Sequence, residues 1–541
     1  MDKKSILWRA ARSLKAKITN IEKADTEKRV AFSQRMVEKR DRKKKKGIKK
    51  EKYAFMTQAS GLSVDELKEK ADHFREMGIV RFSAERFRMY GLYNMDDEQA
   101  RETLLKMKKA YELERELKWD YRLIDLGKIS YEDTYPRMRE FMELESSLIT
   151  MAEKRDIAGK VLYLHPEKMS DEEISDLAID MEFTRRVLRY GHNGYVQFHL
   201  HEKSIPERRE FISGRERVLL MPIINSEESK AILDDKLLTY ERLHDWFGRD
   251  MVSISSEADY FKFKKFFDNN EKAVIKPRFD SLGKGIKLIH KSDLDSLRRT
   301  FVELIDEYRH FLMEGFIEAA PEIKALNPDS VNTVRFITHY DGENTEIWSV
   351  SMRIGRKGSF VDNAGAGGVT VTVDKDTGTI ISDSCDEFGF VYERHPETGI
   401  KFKGYQLPAW DKALKVVYSV VDKIEGATFI GWDLACTADH EWVIVEANGK
   451  TGFFGAQAPL DKGRRRDFLR VIGAPERGVL CDVVALDMAD KVEEQYGIPA
   501  DEVMEKLVHF ESLGLDGRYF EPNKAWELTD EECLKLKDAL L

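Results

Sequence analysis

Residues 431–434 read GWDL and residues 441–448 read EWVIVEAN, and these two stretches decide what the chain builds. Both are short runs rich in β-forming residues, so they read as neighbouring strands. Side chains alternate along a strand, which places Val443 and Val445 on one face and Glu446 and Asn448 on the other. Two oxygen ligands at i and i+2 on a strand end suit Mg²⁺, which prefers hard oxygens and keeps waters and substrate phosphates as its remaining ligands. Asp433 on the adjoining strand completes a set of Asp433, Glu446 and Asn448 facing a nucleotide. Each of the three alone reads as ordinary structure. Their combination on paired strands carries the inference.

Working outward, residues 276–285 read KPRFDSLGKG. A strand ends in Lys276 and gives way to a loop holding Ser281, Gly283, Lys284 and Gly285. Glycines let backbone N–H groups close over a polyphosphate, and Lys276 on the rigid strand would neutralise phosphate charge. This is neither a Walker A loop nor a dinucleotide fingerprint, and N-G-K-T at 448–451 lacks the upstream glycine of a P-loop.

From Val218 to Asn448 short β-rich runs alternate with helices. Strands are expected at 274–276, 286–290, 311–317, 333–340, 346–354, 369–374, 379–382, 429–436 and 442–446. Asp341-Gly342 and Thr377-Gly378 stand where hairpins turn. Ser292 is expected to cap a helix with the stripe Leu294, Leu297, Phe301, Leu304 and Tyr308, and a second helix spans 409–424. Together they describe a mixed α+β module with largely antiparallel pairing. Asp374, Asp376 and Gly378 mimic part of a calcium loop, but the distal glutamate is missing and a polar turn is the better reading. Trp348, Trp432 and Trp442 are expected in the core.

Residues 60–215 are expected to be mainly helical, with starts at Ser63 (a capping box with Glu66), Asp96 and Ser170. The stretch 195–201 is expected as a strand carrying His199 and His201 on one face. With no third ligand in view, these read as surface or interface histidines rather than a metal pair. Residues 478–541 return to charged, helical sequence.

The 541 residues exceed a single core, and 42% hydrophobic with 35% charged residues allows packed interiors under charged helix faces. The net charge of -9 gives no general reason to expect nucleic acid. It conceals a basic arm: residues 1–50 hold 19 Lys+Arg and 6 Asp+Glu, a charge of +13, which leaves -9 - 13 = -22 for the rest. Leu7, Ala11, Leu14 and Ile18 share one helical stripe there, ringed by Lys and Arg. A solvated helix is the plain expectation. The sharper one is contact of residues 1–52 with anionic lipid, each basic residue near the surface adding about 1 kcal/mol. Four cysteines without a CxxC pair fit a reducing compartment. No signal-peptide core and no transmembrane span is read, so a cytoplasmic location is expected, at most peripheral to the inner membrane face.

Read in order, KPRFDSLGKGI, MEGFIE (313–318), LNPDSVNTVRF (326–336), FVDNAGAGG (360–368), GWDLACT and EWVIVEAN resemble the ATP-grasp superfamily, and more narrowly its sugar-transfer-associated proteins of polysaccharide biosynthesis. The resemblance runs from about 220 to 465 and more weakly to RFSAERFRMYGL at 81–92. It implies an α+β fold in which two subdomains clasp ATP, preceded by a mainly helical region. The domains expected are a basic helical arm (1–55), a helical accessory domain (56–217), the ATP-grasp catalytic domain (218–470) and a helical extension (471–541).

The resemblance also implies roles. Lys236 and Lys276 match the ATP-phosphate lysines, with Ser281, Gly283 and Gly285 in the phosphate loop. Glu314, Gly315, Phe316 and Ile317 match the hinge whose backbone reads adenine, and Glu318 or Glu322 the ribose contact. Arg335 matches the arginine that steadies the transferred phosphoryl group, and Arg353 faces the same charge. Asp433, Glu446 and Asn448 match the ligands of one or two Mg²⁺ ions, for which Mn²⁺ is a substitute, and Asn363 with residues 365–368 a loop near the γ-phosphate. The activity implied is a ligase that uses Mg-ATP to activate a carboxylate as an acyl-phosphate, which an amine or similar nucleophile then attacks. The acceptor, a small molecule or glycan, is not identified by sequence. The alternatives are a phosphotransferase acting on one acceptor and a non-catalytic nucleotide-binding scaffold at the membrane.

Overall fold

The computed structural model describes residues 48–77, 84–125, 129–279, 285–293, 297–356, 358–473 and most of 488–540. The basic arm, apart from its last residues, lies outside them. So do the phosphate-loop residues Ser281, Gly283 and Lys284, and Leu294 of the stripe following Ser292. The chain falls into two compact units, one formed by Arg217–Ile472 and one by residues before and after it. No described helix is long and apolar enough to cross a membrane.

The first unit is helical. Ser63 and Glu66 form the expected capping box at the helix Val64–Glu76, and Ser170 and Glu173 form another at Asp171–Arg186. Asp96 accepts from the Gln99 backbone N–H (2.9 Å) at the start of the helix Asp97–Asp125. The strand expected over 195–201 is absent. The chain instead forms the helix His192–Gln197 and a 3₁₀ turn Leu200–Glu202, and the left-handed φ of 45° at His199 between them is incompatible with a strand. His201 is buried rather than at a surface, its Nδ1 3.2 Å from the Tyr163 hydroxyl.

A charged network lies inside this unit. Arg186 pairs with Glu114 (2.5 Å) and Glu145 (2.5 Å), and the Tyr90 hydroxyl donates to Glu145 (3.1 Å). Burial alone would raise the Glu114 pKa, but Arg186 and Lys118 outweigh it and hold it at about 2, against an ordinary 4.5. A carboxyl depressed on folding stabilises above its unfolded pKa, and that contribution disappears as pH falls through the folded one. The unit should therefore lose stability between about pH 4.5 and 2. The slope should flatten in Glu114→Gln; equal acid slopes in urea titrations of the two proteins would refute this.

The second unit holds two antiparallel sheets. The smaller has the order β1-β4-β2-β3, from β1 (Met251–Ile254), β2 (Lys272–Pro277), β3 (Lys287–His290) and β4 (Phe311–Gly315). The helices Tyr260–Asn269 and Leu297–Tyr308 cover it, burying Phe263, Phe267 and Phe301 against Ile275 and Met313. The larger sheet has the order β11-β10-β5-β6-β7-β8-β9. Its strands are β5 (Val334–Tyr340), β6 (Thr345–Ile354), β7 (Val369–Thr372), β8 (Ser384–Cys385), β9 (Val391–Tyr392), β10 (Phe429–Cys436) and β11 (Trp442–Asn448). Trp348, Trp432 and Trp442 are buried, as expected; Phe336 stacks on Trp410 of the helix Trp410–Val420.

Three expectations change. Helices persist to Leu243, so the first strand begins later than the change of texture near Val218 suggests. The segment 379–382 makes isolated bridges instead of a strand, because the Ser382 hydroxyl accepts the Thr372 N–H (2.8 Å) in place of a backbone carbonyl. And β11 carries a bulge: Asp433 faces Glu446, while Leu434 faces Ile444. The skipped Val445 reverses the alternation, so Val443 shares the face of Glu446 instead of opposing it.

Candidate active site

The bulge organises the meeting of the two sheets. It turns the carbonyls of Ile444 and Val445 toward Arg249, which accept from its Nη1 (2.7 Å) and Nη2 (3.4 Å). The same guanidinium grips Glu314 of β4 (2.7 Å). Arg249 thus ties the small sheet to the large one, and Gly248 before it, at φ 60°, leaves room that a Cβ would fill at 2.5 Å from Val443. Burial pulls the Arg249 pKa down to about 10. No motif in the sequence marks Arg249; only the bulge, invisible to a period-two reading, gives it a role.

Lys276 on β2 is buried and contacts the Glu314 carboxylate. Burial presses its pKa down, with Arg249 and Lys236 adding to that and Glu446 opposing. Lys236 begins the helix Lys236–Leu243, whose N-cap Asp235 is gripped by Arg278 (2.7 and 2.6 Å). That anchor fixes Lys236 beside Glu446, at 3.5 Å. Both lysines and Glu446 are therefore together.

Asp433 and Glu446 are cross-strand partners, and Asn448 Nδ2 is 3.4 Å from Asp433. Asp433 is fully enclosed. Arg335 clasps it with Nε and Nη2 (2.7 Å each), and Arg353 Nη2 adds a contact at 2.8 Å. Burial would raise the Asp433 pKa, but these two arginines lower it; in return Asp433 raises that of Arg353 against its own burial. Arg353 also bonds Thr333 (2.6 Å) and Asn363 (2.8 Å), while Asp362 accepts from the Thr333 N–H (2.6 Å). The loop 360–368 is thereby tied to Arg353.

Among the described residues no group of three or more His, Cys, Asp or Glu side chains could hold a metal ion. The donor chemistry here is instead two carboxylates and an amide. Glu446 and Asn448 keep oxygen lone pairs available and fit a hard cation. Asp433 differs from the sequence expectation in that both its oxygens already serve guanidiniums, so it fits as a ligand only through its remaining lone pairs.

At the hinge, Gly315 donates to the Asp250 carbonyl (3.0 Å), and Phe316 lies against Phe360 with ring centroids 6.2 Å apart. Lys272 stands 4.6 Å over the Phe316 ring and pairs with Glu318 (2.7 Å). Glu322 pairs with His440 (3.0 Å). Ile317 follows two residues after the end of β4, and Gly285 takes φ 68° before β3. Thr333, Asp362, Arg217 and Arg249 were not singled out from sequence.

Two antiparallel sheets, with Lys276 on the smaller, the acidic pair on the larger and Lys236 at a helix start beside Glu446, define an ATP-grasp module. Residues 215–471 match the family described as sugar-transfer associated ATP-grasp, and this part of the chain has the ATP-grasp fold. Similar solved structures include D-alanyl-alanine synthetase A from Vibrio cholerae (12% identity, 48% of this chain and 66% of that one, TM-score 0.31). N5-carboxyaminoimidazole synthetase from Staphylococcus aureus, complexed with ADP, is 14% identical over 49% of this chain and 59% of that one, TM-score 0.31. A D-Ala:D-Ser ligase from Enterococcus faecalis is 15% identical over 49% and 64%, TM-score 0.31. The chain thus spans less than two thirds of these proteins' length. No curated protein matches it.

Proposed function

We propose that the ATP-grasp domain, residues 218–470, binds Mg-ATP and ligates: it transfers the γ-phosphoryl group to a carboxylate oxygen of an acceptor. ADP leaves, an amine nitrogen attacks the acyl carbon, phosphate departs and an amide forms. The observation that carries this reading is the succession Lys276, Lys236, Glu446, Asp433, Arg335 and Arg353, two cations, two carboxylates and two cations, which suits a polyphosphate with a divalent ion at its centre. Such transfer asks a protein chiefly for positioning and charge stabilisation. Lys236 and Lys276 hold the phosphates, the 314–317 backbone holds adenine, and Glu318 or Glu322 meets the ribose. Arg335 and Arg353 stabilise the transferred group. Glu446 and Asn448, with Asp433 behind them, would hold Mg²⁺, which supplies charge neutralisation at the phosphates. No nucleophilic side chain is required.

The setting proposed is cell-surface polysaccharide assembly at the cytoplasmic side of a membrane, in keeping with the family's description. The flanking helical segments, 56–217 and 471–541, would serve as accessory regions. The test is product analysis with amine and carboxylate pairs. A ligase consumes ATP only with two acceptors and yields an amide; a stable phosphoester from one acceptor would replace this reading with a kinase. The arm 1–52 is proposed to hold anionic lipid through its excess of +13 over residues 1–50. Its deletion should abolish binding to phosphatidylserine vesicles while ATP turnover persists, and unchanged vesicle binding would refute it.

A further inference from the structure

The guanidiniums of the ATP-grasp domain differ in how their donors are used. Arg335 gives Nε and Nη2 to Asp433, and Arg353 spends its donors on Asp433, Thr333 and Asn363. Arg217 gives Nη1 to the carbonyls of Lys450 (2.6 Å) and Thr451 (3.4 Å), and no carboxylate pairs with it among the described residues. Burial, and then the like charge of Arg335, hold its pKa below the ordinary value. A half-buried cation beside another cation costs free energy in the unliganded protein, and an oxyanion between them would offset that cost through two-pronged hydrogen bonds.

The loop that Arg217 holds follows directly from Asn448 at the end of β11. Its other end is pinned where Asn225 Nδ2 donates to the Gly449 carbonyl (3.1 Å). The Thr451 hydroxyl is buried with no hydrogen-bond partner, over Gly431, where any Cβ would meet it at 2.2 Å. Gly431 is opposite Asn448 and two residues before Asp433, so this orphaned hydroxyl lies on the face that carries the acidic pair. Arg217 and Thr451 thus stand past the end of β11, over Gly431 and two residues along β10 from Asp433, the cross-strand partner of Arg335. On the proposed function the triphosphate takes the lysine end and leaves the Arg217 end without an anion.

We propose that Arg217, the Thr451 hydroxyl and the unused Nη1 edge of Arg335 form a subsite for an oxyanion of the acceptor, so that Arg217 selects acidic acceptors. This rests on the ligase reading for what the subsite serves, although anion binding can be measured without turnover. The probes are D-glucuronate, glucose 6-phosphate and uncharged glucose at constant ionic strength, titrated calorimetrically into the full chain saturated with Mg²⁺ and a non-hydrolysable ATP analogue. At least one acid should bind while glucose does not. Arg217→Gln should weaken that acid at least tenfold and leave nucleotide affinity within threefold. The carboxylate and phosphate arms identify which oxyanion fits.

Absence of binding by both acids, equal binding of glucose, an unchanged acid affinity in Arg217→Gln, or a parallel loss of nucleotide affinity would each overturn the proposal. Should Arg217→Gln fail to fold, Arg217→Lys decides instead: it keeps the charge without the fork, and less than threefold weakening of the acid overturns the idea. If the wild type binds no nucleotide either alone or with the acids present, the ligase reading fails separately. The same titrations on the free protein then decide, with Arg217-dependent acid binding in support and its absence against.

Discussion

Asp433→Ala is expected to destabilise the ATP-grasp domain by roughly 3–5 kcal/mol, the range for removing one partner of a buried ion pair. The Asp433 side chain is 1% exposed, and its loss would leave Arg335 and Arg353, 17% and 15% exposed, facing each other without an anion. Neither can shed its proton, because a guanidinium stays charged at any working pH. Little water reaches them to screen the repulsion, because the three side chains stand on the neighbouring strands β10, β5 and β6 and are mostly buried. For a unit of this size each kcal/mol corresponds to about 2–4 °C in Tm, so the shift should be large. The measurement is the thermal transition of this unit in Asp433→Ala and in the double variant Asp433→Ala/Arg335→Met. The double variant should recover part of the loss, since an apolar partner replaces an orphaned charge. A single-variant loss below about 1 kcal/mol, the worth of an exposed ion pair, would show that the three-residue cluster contributes no buried pairing.

The strands that carry this cluster were legible because each has a plain local signature. GWDL and EWVIVEAN announce paired strands, and the strand at 429–436 was located to the residue. The capping boxes at Ser63 and Ser170 likewise follow from four-residue patterns with a local physical cause. What could not be read depends on partners far apart in sequence. The β11 bulge arises from its pairing with β10 and reverses the side of Val443. Arg249 matters because Glu314 and the Ile444 carbonyl converge on it from 65 and 195 residues away. The double grip of Arg335 and Arg353 on Asp433 is likewise a product of strand order. His199 shows the converse failure. The alternation of 195–201 fits a strand, but left-handed His199 interrupts it, its ring edge-on to that of Tyr163, which is 36 residues away in sequence.

Glu446→Ala should separate ligand binding from stability, where Asp433→Ala affects both. Glu446 is 30% exposed, and its ion pair is with Lys236 at 3.5 Å, so its removal should cost no more than about 1 kcal/mol of folding free energy. Yet of the acidic pair it is the carboxylate more open to a cation, beside the two lysines proposed to hold phosphates. In the wild type, Mg-ATP at a hundred times its dissociation constant should stabilise by roughly 2.7 kcal/mol, a displacement of several degrees. In Glu446→Ala the magnesium-dependent part should vanish, leaving whatever shift ATP produces with EDTA, while the unliganded Tm stays near that of the wild type. The contrast has a physical origin. Asp433 is locked by two guanidiniums and cannot turn toward a metal without breaking them, whereas Glu446 can rotate away from one lysine at little cost. A full magnesium-dependent shift in Glu446→Ala would move the cation to Asp433 and require Arg335 or Arg353 to release it on binding. A wild type that shows no shift at millimolar Mg-ATP would instead mean that the acceptor must bind first or that the site has lost its nucleotide. Repeating the scan with the acid that Arg217 holds would separate these two, because only the first restores the shift.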